Sequence, residues 1–232
     1  MPAERTTRDL VAALAVLVAL NVLTVSVLDE AVAAVVQVAV AVGAVGLAMQ
    51  RGYSRGELGL SRRTVGAGVR LGTALSVIVV VGVVMVAAIP FTNGFLDDDR
   101  FVDISGWRVA YEVLVRIPIV TAMSEELLFR SVLLAVMSAI TTRGRAVVAS
   151  SVCFGLWHVL VTLDDLGGNA ATDSLTTAGR IGGVAGAVAA TAVAGGVFAW
   201  TRLRSGSVLA PWLLHSSLNG ATFVAGYVVT SA

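Results

Sequence analysis

The sequence predicts an all-α fold, a polytopic transmembrane helix bundle of about seven spans, and three observations carry that expectation. Apolar side chains make up 57% of the 232 residues and charged ones only 13%, about half the share usual in a soluble domain. The apolar residues gather in long blocks that a water-facing surface could not hide, and mean hydropathy is +0.89. The connections between blocks alternate between arginine-rich and acidic. A single integral-membrane domain, 1–232, is expected, with a motif-bearing core at about 105–229 and neither internal repeat nor soluble domain.

Spanning the hydrocarbon takes about 20 apolar residues. The first two candidates, Leu10–Leu28 and Ala31–Met49, are parted by Asp29 and Glu30. Arg5 and Arg8 lead the first, but it is long enough to span and no A-x-A-like site closes it, so no cleavable signal is expected. Arg51, Arg55, Arg62, Arg63 and Arg70 precede the third, Leu71–Ile89; Asp97, Asp98, Asp99 and Asp103 follow it. SGWRVAYEVLVR (105–116) sets apolar residues at helical spacing against Arg108, Glu112 and Arg116, which suits a short interfacial helix. The fourth span, Ile117–Ile140, then has Pro118 in its first turn, where a missing N–H costs little. Arg143 and Arg145 lead the fifth, Ala146–Leu163. Asp164, Asp165 and Asp173 separate it from the sixth, Ile181–Trp200, where Gly182 with Gly186 and Ala192 with Gly196 are spaced for close helix approach. Arg202 and Arg204 lead the seventh, Val208–Val229. Seven is the count at which every connection obeys the positive-inside rule. It places the N-terminus in the cytoplasm and the C-terminus outside, in the plasma membrane of a prokaryote.

The balance of charge also excludes. A net charge of +1 provides no general basic surface, so nucleic acid is not an expected partner. Cys153 is the only cysteine; it forms no internal disulfide and sits in an apolar run, where packing is its expected role.

Against this background SEELLFR (124–130) is costly. Each of its three charges forfeits about 2.5–3.5 kcal/mol at a bilayer centre unless something compensates. Glu126 and Arg130 are four apart, share a helix face and can pair. Glu125 lies about 100° around the helix and is left available. The only two histidines, His158 and His215, also fall inside spans, at a depth near that of Glu125. His215 and Asn219 are four apart, and an amide beside an imidazole can face a developing oxyanion. A carboxylate can accept a proton from water while imidazole holds that water in place. Asn21 and Gln37 read as interhelical hydrogen bonds.

EELLFR, FGLWH and HSSLN, in that order on successive spans, fit the patterns E-E-x-x-x-R, F-x-x-x-H and H-x-x-x-N. The chain thereby resembles the CAAX protease and bacteriocin-processing family, also called the Abi family, of intramembrane proteases. ELGLSRR, before the third span, resembles a stretch found upstream in that family. The resemblance implies an endopeptidase acting on a membrane-associated peptide or protein. Glu125 would be the catalytic base, His158 would share the attacking water, and His215 and Asn219 would stabilise the oxyanion. Glu126, Arg130 and Phe154 would be supporting, with Trp157 and Trp212 shaping the cavity wall. The cavity would lie between the fourth, fifth and seventh spans and admit substrate from the cytoplasmic side. No cofactor is required by this reading, but the family is widely labelled metalloprotease, and zinc on Glu125, His158 and His215 is the alternative. Two other classes compete: a proton-coupled transporter, for which no inverted repeat is evident, and a non-proteolytic scaffold or bacteriocin-immunity protein. Oligomeric state is not legible.

Overall fold

The computed structural model describes residues 2–92, 101–168 and 176–231, and among these there is no strand. The chain order is α1 (Pro2–Ser26), α2 (Glu30–Gln50), α3 (Val65–Ala87), α4 (106–140), α5 (Arg143–Gly168), α6 (Thr177–Ser205) and α7 (Leu209–Thr230). The all-α bundle expected from sequence is the fold observed. Five helices, α1, α2, α3, α5 and α6, are long and apolar enough to cross a membrane. The other two, α4 and α7, carry Glu125, Glu126, Arg130, His215 and Asn219. Asp97, Asp98, Asp99 and Asp173 lie outside the described residues.

Burial is inverted relative to a water-soluble domain. Val18, Val35, Val42, Ile78, Val84, Val148 and Val193 face outward, while Glu125, Glu126, Arg130, Ser131, Thr201 and His215 are buried. Lipid tails solvate valine and leucine as well as a protein core does, so the interior is where polar groups must find partners. This is an integral membrane protein.

Small residues set the helix spacing. Helix α5 packs along α6, and α7 along α3. A Cβ on Gly155 of α5 would lie 2.6 Å from the Val188 carbonyl of α6 and 2.9 Å from Ala192 Cβ. A Cβ on Gly72 of α3 would lie 3.0 Å from the Ala210 carbonyl of α7. Ala192 thus serves the close approach expected of it. Gly182 and Gly186 do not: both look into open space.

Helix α4 departs from the expected form in register. Ser105 caps it by accepting from Arg108 N, and Gly106–Tyr111 runs without a break into Glu112–Met123. The short helix before the fourth span is therefore the opening of α4 itself. Glu112–Met123 and Glu126–Leu133 are π-helical, with α-helical Leu134–Ile140 after them. Pro118 accordingly lies deep inside a continuous helix and not in a first turn. It has no N–H to give its preceding turn, and a widened i→i+5 register is one way a helix absorbs that loss. The Pro118 carbonyl accepts from Trp212 Nε1–H of α7 at 2.7 Å.

The segment 51–61 folds into a strap across one end of the bundle. Ser131 Oγ–H donates to the Leu58 carbonyl at 2.7 Å, Arg202 Nη2 donates to the Glu57 carbonyl at 2.7 Å, and Val208 N–H donates to the Gly59 carbonyl at 3.0 Å. Leu58 is fully buried. The ELGL motif is thus a clamp on α4, α6 and α7. Hydrogen bonds from the Ser54 hydroxyl and N–H hold the Glu57 carboxyl below its usual range. Burial, with Asp9 nearby, pushes the Tyr53 phenol up to about 12, so it stays neutral and donates to Asp9 Oδ2.

Gly59 has φ +72°, and a Cβ there would strike the Arg202 guanidinium. Gly59→Ala is expected to lose about 1–3 kcal/mol from backbone strain alone, read as a lower unfolding midpoint in detergent. Gly182→Ala and Gly186→Ala, which meet nothing, should leave that midpoint unmoved.

Candidate active site

Glu125 occupies the short α-helical joint between the two π-helical stretches of α4. Its Oε1 accepts from Trp157 Nε1–H of α5 at 3.2 Å, and its Oε2 lies 3.9 Å from His215 Nε2 of α7. That Oε2 is buried without a hydrogen-bond donor. A buried carboxylate oxygen left open is costly in a purely structural role.

Glu126 turns the other way. Its Oε1 accepts from His215 Nδ1–H at 2.9 Å and pairs electrostatically with Arg130 Nη1 at 3.3 Å. Arg130 is itself buried, with its guanidinium carbon 3.9 Å from the Phe154 ring centroid and 5.1 Å from that of Phe198. Space for it comes from α6, since a Cβ on Gly195 would come within 3.2 Å of Arg130 Nη2. The expected pairing of Glu126 with Arg130 is present, and aromatic faces supply the rest of the cation's surroundings.

Phe154 also touches both imidazoles edge-on, with centroids 4.7 Å from His158 and 5.9 Å from His215. Phe198 stacks on His215 at 4.7 Å. The His158 Nδ1–H donates to the Phe154 carbonyl at 2.8 Å, which leaves Nε2 as the acceptor of the neutral ring.

A cavity of about 510 Å³ runs past Glu125, Trp157, His158 and Asn219. Three of the four residues singled out for chemistry therefore share one wall system. His215 is placed differently. Both its nitrogens face carboxylates, and it sits behind Glu125 and is not on the cavity wall. Its Nδ1 is engaged by Glu126, and its Nε2 faces Glu125 without a hydrogen bond. Trp157 lines the cavity as expected, but Trp212 lines a separate apolar groove with Val84 and Pro118.

The first two helices form more of the site than the motifs foretell. Asn21 and Gln37 line the cavity, and Asn21 Nδ2–H donates to the Trp157 carbonyl at 3.0 Å. Asn21 is thus the interhelical bond expected of it, spent on the residue that holds Glu125. The cavity also reaches Leu28, Glu30 and Arg116, at the α1–α2 end of the bundle. That is the end the arginine bias assigns to the outside.

Among the described residues no group of three or more His, Cys, Asp or Glu side chains is arranged to hold a metal ion. His158 and His215 each direct Nδ1–H to an acceptor and keep Nε2 free, and Nε2 of His215 lies 3.9 Å from Glu125 Oε2. These described side chains nonetheless do not converge on one point as a zinc ion requires.

The sequence gives no motif signal for Trp157 as a donor to Glu125 or for Phe198 as a stacking partner. Only aromatic residues within spans pointed to them. Residues 107–221 match the family described as Rce1-like, type II CAAX prenyl endopeptidase Rce1-like. No curated protein and no solved structure matches the chain.

Arg130→Met should strand Glu126 in the interior and cost about 3–5 kcal/mol, as breaking a buried pair does. The measurement is unfolding in detergent. Adding Glu126→Gln to that variant should recover part of the loss.

Proposed function

We propose that this chain, which belongs through residues 107–221 to the type II CAAX prenyl endopeptidase Rce1-like family, is an intramembrane endopeptidase that uses Glu125 to activate water. Its substrate is a membrane-associated peptide or protein. The single observation behind this reading is the Glu125 carboxylate, one oxygen of which has no hydrogen-bond donor, on the wall of a cavity that it shares with His158 and Asn219.

The chemistry follows from donors and acceptors. Glu125 and the His158 Nε2 lone pair are both acceptors, so a water between them directs a hydrogen at each and turns its oxygen lone pair toward a bound carbonyl. Glu125 takes one proton as the C–O bond forms. The Asn219 amide donates to the carbonyl oxygen as it becomes negative, in a site where little water competes. Collapse of the tetrahedral adduct breaks the C–N bond, and Glu125 returns its proton to the leaving amine. His215 acts here as a positioning residue. Its Nδ1–H is tied to Glu126, and its Nε2 faces Glu125. It can also donate from Nε2 to the oxyanion, but only as the imidazolium, whose charge Glu126 offsets.

Trp157 fixes the carboxylate by donating to one oxygen, which leaves the other to work as base. Substrate enters from the end of the bundle that carries Glu30. With the N-terminus in the cytoplasm, that end faces outward.

Purified protein given lipidated and unlipidated membrane peptides should cleave at least one, and Glu125→Gln should lower kcat by roughly 10²–10⁴-fold. Full activity in Glu125→Ala would overturn the reading. Asn219→Ala should lower kcat by about 10²–10³-fold, and a chelator with metal analysis should leave the rate intact. The side of admission has its own check. With Cys153 replaced by Ala, a cysteine at position 29 should react in intact cells with a membrane-impermeant maleimide; labelling only after lysis would reverse the orientation.

A further inference from the structure

Among the described residues lining the Glu125 cavity Arg116 is the only cation, and its side chain is about a third exposed. It belongs to a four-member cluster whose two carboxylates differ in kind. Glu112 is buried on the same helix and divides its oxygens, Oε1 to Arg108 Nη2 at 2.7 Å and Oε2 to Arg116 Nη1 at 3.2 Å. It holds the two guanidiniums side by side without help from another element. Glu30 comes from the first turn of α2 and is half exposed, and a single oxygen, Oε1, meets both cations: Arg108 Nη2 at 2.7 Å and Arg116 Nε at 3.1 Å. The hydrogen bond from Arg108 to Glu30 holds that guanidinium above its ordinary range.

With Glu30 withdrawn, two guanidiniums would face one carboxylate, leaving one positive charge and a vacated pair of N–H donors at the mouth. An exposed ion pair contributes little, about 0–1 kcal/mol, so exchange of one carboxylate for another is cheap there. We infer that Arg116 and Arg108 form a carboxylate-binding subsite for the peptide, which Glu30 fills as an internal stand-in and from which the ligand displaces it.

Spacing supports one ligand spanning both places. Arg116 precedes Glu125 by nine residues, about 13.5 Å between backbone positions at 1.5 Å per residue, and its guanidinium reaches back toward Glu112. An extended peptide covers that distance in about four residues at roughly 3.3–3.6 Å each. A carboxylate on Arg116 therefore leaves the bond at Glu125 within reach of one short peptide. The carboxylate is either the C-terminus of the peptide or an acidic side chain at that distance.

This subsite rests on the endopeptidase reading, and the test separates the two. Three probes are needed: a lipidated octapeptide with a free C-terminus, the same peptide amidated, and an amidated peptide ending in glutamate. Binding is measured on full-length Glu125→Gln protein in detergent, and cleavage on the unsubstituted chain. Both Kd and KM should favour the free acid over the amide by roughly tenfold or more, as expected when a charged hydrogen bond is lost. The third probe assigns the preference to the terminus or to the side chain. Arg116→Gln should erase the preference, Arg116→Lys should keep part of it, and Glu30→Gln should tighten acid binding several-fold without helping the amide. If Arg116→Gln fails to fold, the Glu30→Gln result still decides. Equal affinity for acid and amide, or a preference that survives Arg116→Gln, overturns the subsite. Selective binding without cleavage of any probe overturns the endopeptidase reading alone.

Discussion

Arg130 is a cation enclosed in a bundle whose outer face is hydrocarbon-like, and the arrangement of the polar centre follows from how it is accommodated. One carboxylate, Glu126, offsets its charge at 3.3 Å, and the faces of Phe154 and Phe198 supply the remaining attraction. An ion pair in such surroundings is costly to desolvate and costlier to break, so these groups have few alternative placements. Once Glu126 is held by Arg130, its Oε1 also accepts from His215 Nδ1–H, and His215 Nε2 is left turned toward Glu125. Phe154 then fills the space between the cation and the two imidazoles. A residue that touches no substrate thus determines where each polar group can stand.

The backbone of α4 cooperates with this demand. Two neighbouring glutamates must diverge from one helix, Glu126 toward Arg130 and His215 Nδ1, Glu125 toward Trp157 and the cavity. π-Helical register on either side of the pair changes the angle at which side chains leave the axis, and such register is found mostly at functional sites. Pro118 contributes by withholding a donor, and Trp212 covers its carbonyl from α7. The same aromatic donor chemistry recurs at Trp157 and Glu125. Both tryptophans spend an indole N–H on fixing α4.

Much of this was legible from sequence because membranes make polar residues conspicuous. The apolar blocks marked the helices, and Glu125, His158 and Asn219 stood out as polar groups in lipid and do line one cavity. What escaped depends on three-dimensional packing. His215 at i−4 from Asn219 predicts a shared face, but the helix spacing cannot show that its Nδ1 is bound to Glu126 and its Nε2 turned toward Glu125. Gly182 and Gly186 have the right spacing for a helix crossing and no neighbour to cross. Gly155 has no such signature and meets α6 most closely. The π register of α4 has no compositional mark beyond Pro118, which reads equally well as a first-turn residue. Asn21 and Gln37 are ordinary polar interruptions until tertiary contact brings α1 and α2 to the cavity.

The strap at 51–61 lies at the opposite end of α2 from the cavity mouth, where it ties α4, α6 and α7 together through Leu58, Glu57 and Gly59. A hydrated chamber reaching deep into a bilayer is a hazard to any cell that stores energy as an ion gradient. Two openings would make it a conduit for protons and sodium. The strap fastens the far end with a buried leucine and three hydrogen bonds to its carbonyls, and none of its residues lines the chamber. That arrangement is suited to a chamber with one opening, through which solvent reaches the glutamate while the membrane still insulates.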